Sequence, residues 1–201
     1  MTKLSYGEDS NIMLYTDESV DNPGYMYGTF DGDNIKAELS GTWNKEHIWP
    51  CLQMKLDGKD PRPDSDTKNH ATDLHNLRAS CQDVNGAHGN KFYDNENTDI
   101  TLFLNIEGTP NSSHLYEGDF RGVVARILFY MATRYDFLEL NDDCNAENDT
   151  SMSKLSFLLE WNELDPVDGF EIQRNNRNYE YQGNRNPYID YSELASIMFG
   201  E

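Results

Sequence analysis

Basic residues are scarce in this chain. Lys and Arg together number 16 against 36 Asp and Glu, for a net charge of −20. A surface so acidic repels phosphate chains at long range, so overall charge cannot drive nucleic-acid binding. Any such role must rest on a local basic cleft. Cysteine is scarce as well, at Cys51, Cys81 and Cys144. An odd number excludes a fully paired intramolecular framework, and the lack of CxxC spacing argues against a structural zinc site. One disulfide with a free thiol and a fully reduced set both stay open. No apolar run reaches the ~18 residues of a membrane helix. The opening stretch "MTKLSYGEDSNIML" has no apolar signal-peptide core, so the chain is expected to be intracellular or to begin after a removed signal. Apolar residues make up only 37 %, but 12 % are aromatic. Aromatic rings bury large areas each, and the chain is long enough for one domain with a real core.

Residues 1–40 are polar and rich in Gly and Asp, and read as strands or extended turns, with a turn at "DGDN". "DGKDPRPDSD" reads as a surface loop and "DITLFLNI" as a strand. The clearest helix is "GDFRGVVARILFYMATRYDFLEL", where Val124, Ile127, Leu128, Met131 and Tyr135 recur at helical spacing. Arg121, Arg126 and Arg134 fall off that stripe. "NDDCNAENDTS" is an acidic linker whose spacing does not match an EF-hand, and reads as a solvated loop. A second helix is expected in "SKLSFLLEWNEL". A third is expected from "DPVDGFEIQ", with Asp165 as N-cap and Pro166 at the first helical position. "DYSEL" offers a capping-box-like start, Asp190 to Glu193, for a last short helix. The class is therefore α+β: mostly helical, with a few short strands in the first half.

The chemistry concentrates in "GTWNKEHIWP" and "DLHNLRASCQDVNGAHGN". Glu46, His47, Asp73, His75, Asn76, Asn85 and Asn90 fall close together along the chain, and "VNGAHGN" is read as following a short helix. A histidine among tryptophans is more often structural than catalytic, but this neighbourhood suits phosphodiester hydrolysis. Water needs a base near pH 7, which neutral imidazole supplies. Charge developing on phosphate needs a hard cation, and magnesium takes oxygen ligands while keeping several waters. A carboxylate, Glu46, and an amide oxygen, Asn85, would serve. Neighbours on a strand face opposite ways, so Glu46 and His47 serve one site only if the strand bends or ends there.

The blocks "TWNKEHIWP", "DLHNLRASCQDVNGAHGN", "FRGVVARILFYMATRY" and "YEYQGNRNPYIDYSEL", in that order, resemble the bacterial endonuclease I family of nonspecific nucleases, across residues 40–197. The resemblance implies a His-Me finger, or ββα-metal, site: two strands carry the base and one ligand, and a helix carries the other ligand. It implies a single nuclease domain over 1–201, with an N-terminal extension at 1–39, the ββα-metal motif at 40–95 and a helical remainder at 96–201. His47 matches the general base, and Glu46 and Asn85 match the ligands of Mg2+, for which Mn2+ can substitute. Asn76 matches the position that braces the motif and orients the base. His75 is more readily structural than catalytic. Asn90 is a candidate for closing the motif's helix or touching phosphate.

The same resemblance implies cleavage of DNA, and of RNA, to 5′-phosphate and 3′-hydroxyl ends by a secreted monomer, with no membrane partner. Three departures stand out. Family members often carry Arg where this chain has His88, which points to a weaker or pH-sensitive phosphate contact there. Many are basic, and most are secreted, yet this chain is acidic and shows no signal. Arg185, in the exposed-looking loop "GNRNP", and Arg126 and Arg121, on the long helix, are candidate phosphate contacts; Arg126 could equally brace Glu160 or another acid. The rival reading is a catalytically inactive, acidic, nuclease-like binding module. An intact Glu46–His47–Asn85 set, which a decayed copy need not keep, argues against it.

Overall fold

The structure is a computed structural model, and it describes residues 3–5, 11–13, 43–62, 69–81, 85–86, 88–95, 101–103, 121–144 and 151–200. The "DGDN" turn, most of the 1–39 extension, Asp64 to Asp66 of the Pro-rich loop, and Glu147 and Asp149 of the acidic linker lie outside them.

Short strands pair two by two. β1 (Lys3–Ser5) and β2 (Asn11–Met13) are antiparallel, in line with the extended reading of the N-terminal region. β3 (Trp43–His47) and β4 (Leu77–Cys81) are antiparallel, with Glu46 opposite Arg78 and His47 opposite Leu77. β5 (Phe92–Asp94) and β6 (Thr101–Phe103) are parallel, which places a strand within "DITLFLNI". The short helix expected before "VNGAHGN" is instead β4, and the helical residues are Asn85, Gly86 and His88 themselves.

The second half is helical. α1 (Arg121–Arg134) is the central element. The predicted stripe holds from Val124 to Met131, Tyr135 lies just past the helix end, and burial extends beyond the stripe to every residue from Gly122 to Met131. A helix apolar around nearly its whole circumference belongs inside. Against it gather Ile48, Trp49 and Met54 from the segment after β3, Tyr93 from β5, Leu158 and Trp161 from α2 (Leu155–Leu164), and Tyr188 from α4 (Pro187–Asp190). Gly122 makes the closest approach. A Cβ there would lie 2.1 Å from the carbonyl oxygen of Asp165, so only glycine lets α1 pass that turn.

Two caps differ from expectation. α3 spans Gly169–Gln182, and its N-cap is Asp168, whose carboxylate accepts from the Glu171 N–H at 2.8 Å. Asp165 is the C-cap of α2, and its carboxylate accepts from the Gly122 N–H at 2.9 Å, at the start of α1. α5 (Leu194–Phe199) starts from Glu193 without a side-chain cap. Asp190 ends α4 and is committed to Arg185 and Asn175. In both cases a tertiary partner took the carboxylate that local pattern assigned to a helix start.

The helical half also holds the loop between β3 and β4. Asp73 caps the helical turn Leu74–Asn76 by accepting from the His75 N–H at 3.0 Å. The same carboxylate accepts from the Tyr130 and Tyr135 hydroxyls, each at 2.8 Å, and from Gln182 Nε2 at 2.8 Å. Burial and the nearby Asp73 charge push the Tyr135 hydroxyl up to about 12, so it stays a donor. Arg174 of α3 donates to the carbonyls of Leu74 and Leu77, each at 2.8 Å.

Candidate active site

β3 ends at His47, and the chain bends at Ile48 and Trp49. That bend meets the condition set by strand alternation. Glu46 and His47 both line one cavity of about 350 Å³, together with Asn85 and Asn90. Cys51, Leu52 and Arg62 complete its wall.

His47 is half-buried, and its Nε2 lies 2.8 Å from the Ala71 carbonyl oxygen. A carbonyl only accepts, so Nε2 carries the proton and the basic lone pair is on Nδ1. The carbonyl is itself held in place. Asn69 and Thr72 form a reciprocal capping box around the turn His70–Thr72. His70 also donates through Nε2 to the Met54 carbonyl at 2.8 Å.

Asn76 is fully buried and clamps the backbone just past His47. Its Oδ1 accepts from the Trp49 N–H at 2.7 Å and its Nδ2 donates to the Trp49 carbonyl at 2.9 Å. The Ile48 N–H adds a bond to the Asn76 carbonyl at 3.0 Å. Asn76 thus braces the bend rather than the imidazole, which takes its orientation from Ala71.

Glu46 is only 2 % exposed. Burial raises its carboxyl above the usual range, opposed by the charge and hydrogen bond of His88. His88 donates through Nδ1 to Glu46 Oε1. Its Nε2 lies 3.2 Å from the Lys91 carbonyl, and its ring packs on Tyr93 with centroids 4.8 Å apart. The phosphate contact expected at this position is therefore corrected: His88 is fully buried and faces a carboxylate. Asn85 and His88 lie three residues apart in a helical segment, which puts them on one face. The segment stops at Gly89, whose φ of +57° is left-handed, and Asn90 follows at the rim.

The other candidates fall elsewhere. Arg126 is fully buried and doubly bonded to Glu171, with Nε to Oε1 at 2.8 Å and NH2 to Oε2 at 2.6 Å. It also donates to Asn162 and to the Asp165 carbonyl. A phosphate cannot reach it, so the alternative role, bracing an acid, is the observed one. Arg185 is paired with Asp190 and also donates to Asn176 at 2.8 Å. Arg121 opens α1, half-buried. None of the three lines the cavity.

The cation that does line it is Arg62, which the sequence pattern did not single out. It is largely exposed and holds Asp60 at 2.5 Å. It sits in a Pro-rich loop that reads as ordinary surface, and its one signal was being a cation just downstream of His47.

His75 is structural. Its Nε2 donates to the Asn184 carbonyl and its Nδ1 accepts from Asn178, both at 3.1 Å. Burial, reinforced by Arg174, lowers it to about 4, so it stays neutral near pH 7. Cys144 is buried, and its Sγ donates to the carbonyls of Asn141 at 3.0 Å and Ser153 at 3.2 Å.

Comparison with known proteins now decides the family. The endonuclease I family matches residues 2–193. The chain belongs to the endonuclease I family. It is therefore a nuclease, and its substrate is nucleic acid. An extracellular ribonuclease of Bacillus subtilis (strain 168) is 38 % identical over 211 residues, covering 98 % of this chain and 69 % of that protein. An extracellular ribonuclease of Bacillus amyloliquefaciens is 37 % identical, with the same coverage. Endonuclease-1 of Buchnera aphidicola subsp. Acyrthosiphon pisum (strain APS) is 26 % identical over 156 residues, covering 72 % of this chain and 58 % of that protein.

Among the described residues no group of three His, Cys, Asp or Glu side chains could hold a metal ion. The described residues of the cavity thus offer no closed, all-protein cage. One carboxylate and one amide at its wall are hard oxygen donors, which fit a cation that keeps most of its waters, as magnesium does. No helix among the described residues is long and apolar enough to cross a membrane.

Proposed function

We propose that this chain is a secreted, magnesium-dependent endonuclease that hydrolyses phosphodiester bonds in DNA and RNA without sequence preference. The observation that carries the reading is the convergence of Glu46, His47 and Asn85 on one cavity, with the proton of His47 directed to the Ala71 carbonyl. Nδ1 of His47 takes a proton from water, and the water oxygen attacks phosphorus. Glu46 and Asn85 would hold the cation, which when bound would supply stabilisation of the charge developing on the phosphate oxygens and on the leaving oxygen. Arg62 meets a phosphate oxygen at the cavity mouth in exchange for Asp60. Asn90 lines the same cavity.

Water as nucleophile makes the sugar 2′-hydroxyl unnecessary, so DNA and RNA are both cleaved. Departure of the 3′ oxygen leaves 5′-phosphate and 3′-hydroxyl ends. Nothing in this scheme reads a base, hence the lack of sequence preference. Secretion and activity on RNA draw support from the two Bacillus relatives, whose names are extracellular ribonuclease. Manganese, which takes the same oxygen ligands, substitutes for magnesium.

The test is incubation with supercoiled plasmid and with a synthetic RNA, with magnesium and then with excess chelator, followed by end analysis. Nicking that chelator abolishes, with ligatable 5′-phosphate ends, is the expected result. Cleavage of RNA alone, leaving cyclic phosphates and indifferent to chelator, would overturn it.

A further inference from the structure

Glu46 poses a problem of geometry. A flexible carboxylate at the wall of an open cavity can swing between rotamers, and a ligand that must present one oxygen to a cation gains from being fixed. The side chain next to it is His88, on the helical segment after β4. His88 Nδ1 donates to Glu46 Oε1, and both residues are buried, at 0 % and 2 % exposure.

His88 is in turn fixed from two other sides. Its Nε2 contacts the Lys91 carbonyl at 3.2 Å. Its ring lies on Tyr93 at an interplanar angle of 31°. Tyr93 donates through its hydroxyl to the Ile48 carbonyl at 3.2 Å, one residue beyond His47. One buried chain of contacts therefore runs from the carboxylate through His88 and Tyr93 back to the backbone that carries the base.

We infer that His88 is a positioning residue for metal binding: it engages Oε1 of Glu46 and so leaves Oε2 as the oxygen presented to the cation in the cavity. The inference rests on reading Glu46 as a metal ligand. It gives this position a task that neither the sequence nor family membership assigns: an imidazole packed in the interior orients the ligand instead of gripping the substrate. Removing an outer partner of this kind typically weakens metal affinity about 10- to 100-fold.

Two substitutions of similar polarity separate the two ring nitrogens. In His88→Asn the amide N–H falls near the Nδ1 position and still reaches Glu46. In His88→Gln the amide falls near the Nε2 position and reaches Lys91 but not Glu46. The readout is Mn2+ affinity of the whole protein without nucleic acid, from the loss of the free-ion electron paramagnetic resonance signal at fixed pH, with Glu46→Ala alongside. Circular dichroism checks the fold of each variant.

The expected result is weakening of about 10-fold or more for His88→Gln, affinity within about 3-fold of the parent for His88→Asn, and loss of binding in Glu46→Ala. Equal affinity of the Gln variant and the parent, or equal weakening in both variants, overturns the positioning role while the ligand role of Glu46 stands. Unchanged affinity in Glu46→Ala overturns the ligand reading itself, and the inference with it. If the Gln variant does not fold, His88→Asn decides: a loss of about 10-fold or more in the folded Asn variant, with the Glu46 donor retained, overturns the inference.

Discussion

The imidazole of His47 and the carbonyl of Ala71 meet at 2.8 Å across the loop between β3 and β4. This hydrogen bond fixes which nitrogen is basic. Replacing His47 with Ala removes the base while leaving the buried supports of the loop, Asn76 and Asp73, untouched. Turnover on plasmid DNA should fall by about 10²–10⁴-fold, with melting temperature and Mn2+ affinity close to the parent. Nicking at the parental rate by the folded variant would remove His47 from the mechanism.

Glu46→Gln keeps an oxygen for His88 but withdraws the charge a cation needs. Asn85→Ala withdraws the amide. Each should raise the magnesium concentration for half-maximal nicking, by about 10-fold or more, with little change in stability. An unchanged magnesium curve in both variants would place the metal elsewhere.

Two arginines should behave in opposite ways. Arg126→Leu leaves the carboxylate of Glu171 buried and unpaired, which costs about 3–5 kcal/mol in urea unfolding. Arg62→Ala removes an exposed side chain and should change stability by less than about 0.5 kcal/mol. It should instead raise KM alike for all sequences. It should also flatten the dependence of nicking on salt by about 0.9 for each phosphate the guanidinium no longer neutralises. With so few cations at the cavity, the parental slope should be only about −2 to −4 on that rule, and salt that screens the acidic surface can raise activity at first. A steep fall from the lowest salt upward would contradict this reading of the charge.

His75 predicts acid sensitivity. Its folded-state value of about 4 lies below the ordinary 6.5, so the unfolded chain binds a proton that the folded chain refuses. The stability is fully present above pH 6.5 and is lost as pH falls through 4. The shift corresponds to roughly 3 kcal/mol at about 1.36 kcal/mol per unit. Urea unfolding at pH 7 and pH 4 should show a smaller difference for His75→Gln than for the parent. Equal differences would show that the buried imidazole is not the group responsible.

How far the site was legible from the sequence varies residue by residue. Glu46 beside His47 offered the atoms of a base and a hard ligand, the family resemblance named those roles, and the fold brings both side chains to one cavity. The helix at Arg121–Arg134 was legible from its apolar spacing, but its burial on all sides was not. Arg126 read equally as a phosphate contact or a brace for an acid, since nothing in the spacing shows that Glu171 waits for it across the fold. Arg62 looked like ordinary loop.

By itself, then, the sequence determined the local parts: that the second half is helical, and which side chains have the right atoms for phosphodiester chemistry. These depend on neighbours a few positions apart. Tertiary structure alone decided which charges face one another. Asp165 caps a helix other than its own, Asp190 answers Arg185, and His88 meets Glu46 instead of a phosphate. A charged side chain has many possible partners of nearly equal local merit. Only the packing of α1 against its surroundings, which fixes what is desolvated beside what, selects one of them.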